Sequence, residues 1–339
     1  MNESASSTTN VLVTLADKNF IPQAKQLFSS AYWNGGWQGD FLLLAHEIPE
    51  EDLRWFREKG ILVFPCKALS EKSIAGVEHP SVVLDKFYLF TPFFKQWKTV
   101  VYLDADIIIR ASLEELVHIE EPFSSPNAHG TSLRQEFIKR NKANRKLFKT
   151  LERKYPLFGR AFNSGIMAIK TDNIEADSFE KLMDLYQRFG ALNKYGEEAT
   201  INLLFYRKWH RISDLFNVYP FRTYRAYRMP YKKMEGIIFH FVREVMAKPW
   251  LPASPFHGEW VRNLKKADAM DIAHPREPQD IWTTERKHRY LRLLALRKFI
   301  TYYRPIFYFF DWLVGQVGLC IKKISPSFYE KVRINRHTG

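Results

Sequence analysis

Cysteine is nearly absent: the 339-residue chain holds two, Cys66 and Cys320, far apart in sequence. That argues against a disulfide framework and fits a reducing compartment. Acidic charge is in deficit, with 37 Asp and Glu against 51 Lys and Arg and a formal net charge of +14. Such a surplus invites an anionic partner: a nucleotide, a nucleic acid or a membrane surface. No apolar run is long enough to read as a transmembrane helix. The opening MNESASSTTN has neither a basic stretch nor an apolar core. Residues 1–10 are therefore expected to be a disordered terminus rather than a signal peptide. Internal repeats and low-complexity blocks are also missing, which excludes solenoids and biased linkers.

What is present is material for a core. Hydrophobic residues make up 46% of the chain, with 27 Phe, 16 Tyr and 9 Trp. This suffices for one large α/β domain or two ordinary ones. VLVTL (11–15), FLLLA (41–45), ILVF (61–64) and TVVYL (99–103) read as short, nearly all-apolar strands. Helical patterns separate them, at Phe20 to Tyr32, after Pro49 and over 81–96. That alternation predicts a mostly parallel sheet covered on both faces, with ligands at the carboxyl ends of its strands. Further along, 133–155 is basic and helical in pattern, a candidate lid or acceptor wall. FNSGIMAIK (162–170) turns into a strand, 176–190 is an amphipathic helix, 196–209 a second helix, and GIIFHF (236–241) another strand. Dense Pro and charge around 251–280 place a boundary there.

VVYLDADIIIR (100–110) ends a strand with Asp104, Ala105 and Asp106 before the chain turns apolar again. Strand alternation puts residues two apart on one side, so both carboxylates can face one point. Like charges that close repel unless a cation lies between them. A divalent ion with open coordination positions can take a nucleotide diphosphate and neutralise charge on the leaving group. The plain alternative is a solvated junction in which Asp caps a backbone N–H.

VVYLDADIIIR, FNSGIMAIK, GEEATIN and HF…KPW together resemble the retaining glycosyltransferases of family 8, in family order across roughly residues 10–250. These include glycogenin and bacterial lipopolysaccharide galactosyl- and glucosyltransferases. The resemblance implies a GT-A fold over 11–260, a UDP-sugar donor and Mn²⁺, with Mg²⁺ as the other candidate. It implies Asp104, Asp106 and His240 as metal ligands; an oxygen-rich site with one imidazole suits Mn²⁺. On residues alone, His240 reads first as a core histidine held by a backbone partner.

By the same resemblance, Lys86 lies near the donor and Lys248 contacts the diphosphate; otherwise both are surface lysines. Asn163, Ser164 and Gly165 match the turn that approaches the sugar, and glycine there permits close backbone approach. Leu15, Ala16 and Asp17 match the nucleoside-binding edge, although Asp17 could equally cap the next helix. Glu197 and Glu198 stand where the family usually has Asp-Gln, replacing a neutral amide with a potential anion. They and Asn163 are the catalytic candidates. Hydroxyl recognition is the favoured role of Glu197, and a covalent nucleophile the minority role of Glu198. Six residues, VREVMA, separate Phe241 from Lys248, so the phosphate loop is rebuilt and Arg243 is a candidate to share its role. No Asp lies between Ile107 and Thr171, leaving no candidate for an acceptor-side aspartate found in some relatives.

The C-terminal region, 261–339, is basic and aromatic. From residue 283 onward twelve Lys and Arg face only Glu285, Asp311 and Glu330, around the stretch YYRPIFYFFDWLVGQVGLCI. Cations flanking an aromatic stretch suit an anionic membrane surface; the alternative is a packed helix with a solvated basic face. The expectation is a metal-dependent retaining hexosyltransferase, cytoplasmic and peripheral on a membrane. Its acceptor would be a lipopolysaccharide intermediate or other glycolipid. A glycogenin-like soluble-acceptor role ranks second. A nucleic-acid partner is not expected, because the basic excess is concentrated in a tail with an apolar run. A nucleotidyltransferase is disfavoured because LADKNF (15–20) has no glycine for a phosphate loop.

Overall fold

The apolar runs form strands because each is short, β-branched or aromatic and bounded by polar residues. The computed structural model describes residues 9–70, 81–128, 132–139, 141–242 and 248–326. Arg243, most of the expected disordered terminus and the last basic residues lie outside the described residues.

The strands are β1 (Asn10–Ala16), β2 (Asp40–His46), β3 (Leu62–Cys66), β4 (Thr99–Leu103), β5 (Ile107–Ile109), β6 (Phe123–Ser125), β7 (Ile166–Lys170), β8 (His210–Arg211) and β9 (Ile238–His240). Seven make one sheet in the order β3-β2-β1-β4-β7-β6-β8. β3, β2, β1 and β4 are parallel neighbours, β7 runs antiparallel to both β4 and β6, and β8 is parallel to β6. Val11, Val13, Leu42, Leu44, Val100 and Tyr102 turn one sheet face into a core with Phe87, Phe90 and Phe94. Leu27, Phe28 and Ala31 of the helix Ile21–Trp33 are fully buried. Ser29 Oγ of that helix donates to the Asn263 carbonyl, in the helix His257–Lys266.

Three expectations need correction. The stretch 81–96 is two 3-10 segments, Ser81–Phe90 and Pro92–Gln96; Pro92 has no N–H to continue the first. The helix expected over 196–209 covers only Glu198–Leu204, and Arg207 just beyond it is left-handed at φ 59°. In the stretch 133–155, a 3-10 turn Leu133–Glu136 precedes the helix Lys142–Lys154, which Asn141 caps by accepting from the Asn144 N–H.

The described chain divides into two units. The first comprises residues up to Phe221 and Met234–Trp282; the second comprises Arg222–Lys233 and the chain from Thr283. The first holds both sheets. Its last residues are stitched in, with Gln279 N–H donating to the Asn34 carbonyl and Ser112 N–H to that of Asp280. The second is built on the 41-residue helix Thr284–Ile324. Within it Tyr290 OH lies 3.2 Å from Met229 Sδ, and Leu296, Phe299, Tyr302 and Phe309 are exposed. Among the described residues no helix is long and apolar enough to cross a membrane.

Candidate active site

β4 ends at Leu103, and Ala105 and Asp106 form a turn into β5. The two aspartates therefore do not converge by strand alternation. The chain leaves the large sheet between them, and β5 pairs with β9 so that Ile107 faces His240. This explains the return to apolar residues after the carboxylates: Ile107, Ile108 and Ile109 are a buried strand of the second sheet.

One ligand atom from each of Asp104, Asp106 and His240 lies within 4.8 Å of the others. His240 Nε2 is 3.2 Å from Asp106 Oδ1 and 3.6 Å from Asp104 Oδ2. Its other nitrogen, Nδ1, is 2.9 Å from Asn217 Oδ1. Asn217 Nδ2 donates to Tyr219 OH at 2.7 Å, which fixes the amide oxygen toward the histidine. An amide oxygen only accepts, so Nδ1 carries the proton and Nε2 keeps its lone pair. Nε2 is buried and has no hydrogen-bond partner among the described residues. A lone pair aimed at two carboxylates, with the opposite ring nitrogen pinned, fits a divalent cation.

Gly165 makes the room. A Cβ there would sit 2.4 Å from Asp104 Oδ2 and 2.5 Å from His240 Cε1. The Asp104 N–H donates to the Gly165 carbonyl at 2.8 Å, locking the Asn163–Gly165 turn to the Asp turn.

Cations surround this cluster. Lys248 Nζ is 2.7 Å from Asp106 Oδ2. Burial pushes Asp106 up, but the Lys248 ammonium against it holds its carboxyl well below the usual range. Lys86 is buried between Asp104 Oδ1, at 2.8 Å, and Glu197 Oε1, at 2.6 Å. Burial pulls Lys86 down, but those two carboxylates hold it above the usual lysine range. Tyr102 OH donates to Asp104 Oδ1 at 2.8 Å.

Beyond Lys86 lies a second carboxylate group. Ser164 Oγ donates to Glu197 Oε1 at 2.7 Å. Glu198 Oε2 accepts from Asn163 Nδ2 at 2.8 Å and from the Ser164 N–H at 3.0 Å. Burial, with Glu136 alongside, pushes Glu198 well above the usual glutamate range. Asn202 Nδ2 donates to the Glu198 carbonyl, and its Oδ1 accepts from the Phe162 N–H, so the helix and the turn are tied. At the end of β1, Leu15 and Ala16 are buried. Asp17 Oδ1 caps the following 3-10 turn by accepting from the Asn19 and Phe20 N–H groups.

A model of glycosyl transferase family 8 matches residues 11–253. The chain belongs to glycosyltransferase family 8. The chain is similar to glycosyltransferase GlyB of Streptococcus pneumoniae serotype 4, 26% identical over 165 residues. That match covers 43% of this chain and 34% of GlyB, so the chain spans about a third of that curated relative's length. Crystallographic GlyE from S. pneumoniae TIGR4 superposes with TM-score 0.53 at 19% identity, over 78% of this chain and 62% of GlyE. The galactosyltransferase LgtC, solved with donor and acceptor sugar analogs, gives 0.55 at 18% identity, over 77% and 96%. An active-site Gln→Glu mutant of LgtC gives 0.57 at 17%, over 76% and 95%. At these identities the likeness establishes the fold, a GT-A-type mostly parallel sheet flanked by helices.

For this family 8 member, sequence reading missed Asn217, Glu136, Tyr102 and Asn202. Glu136 did leave a trace: it is the one acidic residue between Glu121 and Glu152, in an otherwise basic stretch. Asn217 left none, because its partner His240 lies 23 residues away on another element.

Proposed function

We propose that the protein is a metal-dependent retaining hexosyltransferase. It moves glucose or galactose from a UDP-sugar to a hydroxyl of a membrane-linked glycan. One observation carries the reading: the buried, unpartnered His240 Nε2 aimed at Asp104 and Asp106 over the Cβ-free Gly165. Asp104, Asp106 and His240 would hold Mn²⁺ or Mg²⁺, which when bound neutralises charge on the diphosphate leaving group. Lys248, at the edge of the cluster, and the buried Lys86 supply further positive charge to the donor site. Leu15, Ala16 and Asp17 at the end of β1 form the nucleoside edge, with the Asp17 backbone fixed by its capping turn. Asn163 and Ser164 present the sugar-facing turn. Glu197 is committed to Lys86 and Ser164. Glu198, held neutral and occupied by two N–H donors, is a poor nucleophile. That favours front-face attack, with the leaving diphosphate screening the face, over a covalent glycosyl-enzyme.

The exposed aromatic and basic residues of the helix Thr284–Ile324 support attachment to the cytoplasmic face of an anionic membrane. Hydrolysis of UDP-glucose and UDP-galactose, with Mn²⁺, Mg²⁺ or chelator, tests the chemistry; turnover that survives chelation overturns the metal-dependent reading. Truncation after Trp282, where the first unit ends, should release the protein from anionic liposomes with hydrolysis retained. A truncated protein that still sediments with liposomes removes the tail as anchor.

A further inference from the structure

Glu136 lies outside everything assigned so far. It ends the 3-10 turn Leu133–Glu136, is fully buried, and belongs to one buried acidic cluster with Glu197 and Glu198, where its charge acts on the Glu198 carboxyl. The turn is fixed to the loop before Glu198. The Lys194 N–H donates to the Glu136 carbonyl, and Asn193 Nδ2 reaches both the Gly196 carbonyl and Thr200 Oγ1. Two ionised carboxylates buried in one cluster repel, and a proton on one of them relieves the repulsion. Glu198 Oε2 already accepts from Asn163 Nδ2 and the Ser164 N–H, so the proton belongs on Oε1.

We propose that Glu136 is a positioning residue that keeps a proton on Glu198, so that the site works with Glu198 as an uncharged acid. The inference rests on the transferase reading for its consequence, not for its chemistry. Charged groups acting on Glu198 are Glu136 from the 3-10 turn and Glu197 from its own chain segment, with Lys86 neutralising Glu197. The Asn163–Ser164 turn offers only uncharged donors, and the helix Ser178–Phe189 shares an apolar cluster through Leu185, Ala199 and Leu203. In the protonated state Glu198 keeps Oε2 as a fixed acceptor for Asn163, the side chain facing the sugar. Ionisation would set an extra anion beside Glu197 and Asp104 in a cleft that must admit a diphosphate.

Two readouts on the full chain test this. Isotope-edited infrared spectroscopy with ¹³C-glutamate reads protonated carboxyls without substrate. Wild type should show a buried protonated-glutamate band that persists above neutral pH. Glu198→Gln should lack it. In Glu136→Gln, whose amide can donate to an ionised Glu198, the band should titrate away at lower pH. The second readout is the pH profile of kcat/KM for UDP-glucose and UDP-galactose hydrolysis. Wild type falls on an alkaline limb, which moves down by about one pH unit or more in Glu136→Gln. The limb is absent in Glu198→Gln, whose turnover is also reduced. A band that survives in Glu198→Gln, or an unmoved titration in Glu136→Gln, overturns the proposal. The expected bands without turnover of either sugar nucleotide would support the proton pair and remove the transferase reading instead.

Discussion

Two carboxylate groups flank the Asn163–Gly165 turn, and burial acts on both, yet Asp106 in one and Glu198 in the other are pushed in opposite directions. On one side Asp106 is held toward its ionised form against burial because Lys248 contacts it. On the other, Glu198 meets Glu136 and uncharged donors, and burial prevails. Lys86 sits at the boundary and neutralises one acid from each group, Asp104 and Glu197. The aspartates are part-exposed and Glu136, Glu197 and Glu198 are buried, but partners set the direction in which each acid is pushed. A cation-rich set keeps carboxylates available as ligands, and a cation-poor set turns a carboxylate into a neutral hydrogen-bonding group.

The comparison breaks most severely at the ionised group. Asp104→Ala or Asp106→Ala removes a ligand and leaves Lys86 or Lys248 without a carboxylate partner. Donor hydrolysis should fall by more than about 100-fold with circular dichroism unchanged. Turnover within tenfold of wild type in either variant would show that this side does not hold the metal.

Gly165→Ala attacks the same group through space alone. Its Cβ would meet Asp104 Oδ2 and His240 Cε1 well inside contact distance, so the ligands must part. Mn²⁺ affinity measured by titration calorimetry should fall more than in Asn217→Leu. Asn217→Leu leaves every ligand in place and only frees the His240 tautomer; about a 10–100-fold loss is expected there. Equal affinities for Asn217→Leu and wild type would mean that the pinned ring is not needed.

How far this contrast was legible depended on sequence distance. Apolar strands alternating with helices announced the parallel sheet, and the Asp-Ala-Asp, Asn-Ser-Gly and His-Phe segments marked the ionised side. Strand alternation gave the wrong reason for the aspartate convergence, because the sheet change at Ala105 depends on pairing with β9, over 130 residues downstream. Glu198 reads from its type only as a potential anion. Nothing local to Glu198 reveals its partner, since Glu136 precedes it by more than sixty residues on a turn that sequence pattern assigned to a helix. Its burial follows from packing rather than from its type.

The smallest effect sharpens the comparison on the neutral side through stability alone. A proton binds native Glu198 more tightly than it binds an unfolded glutamate, because burial raises the native value. Between the usual glutamate range and that raised value, the native state holds more protons than the unfolded state, so stability falls as pH rises. Below the window the contribution is fully present. Glu198→Gln has no proton to bind there, so its urea-unfolding free energy should fall less steeply with pH. Across the window wild type should lose up to about 1.4 kcal/mol per pH unit relative to the variant. Asp85 also titrates within this range, pushed up to about 6 by burial against the pull of His46. It contributes equally to both proteins, so the difference between the curves isolates Glu198. Parallel curves from acid to neutral pH would show that Glu198 ionises in the folded protein as it does in the unfolded chain, and the two carboxylate groups would then not differ in charge.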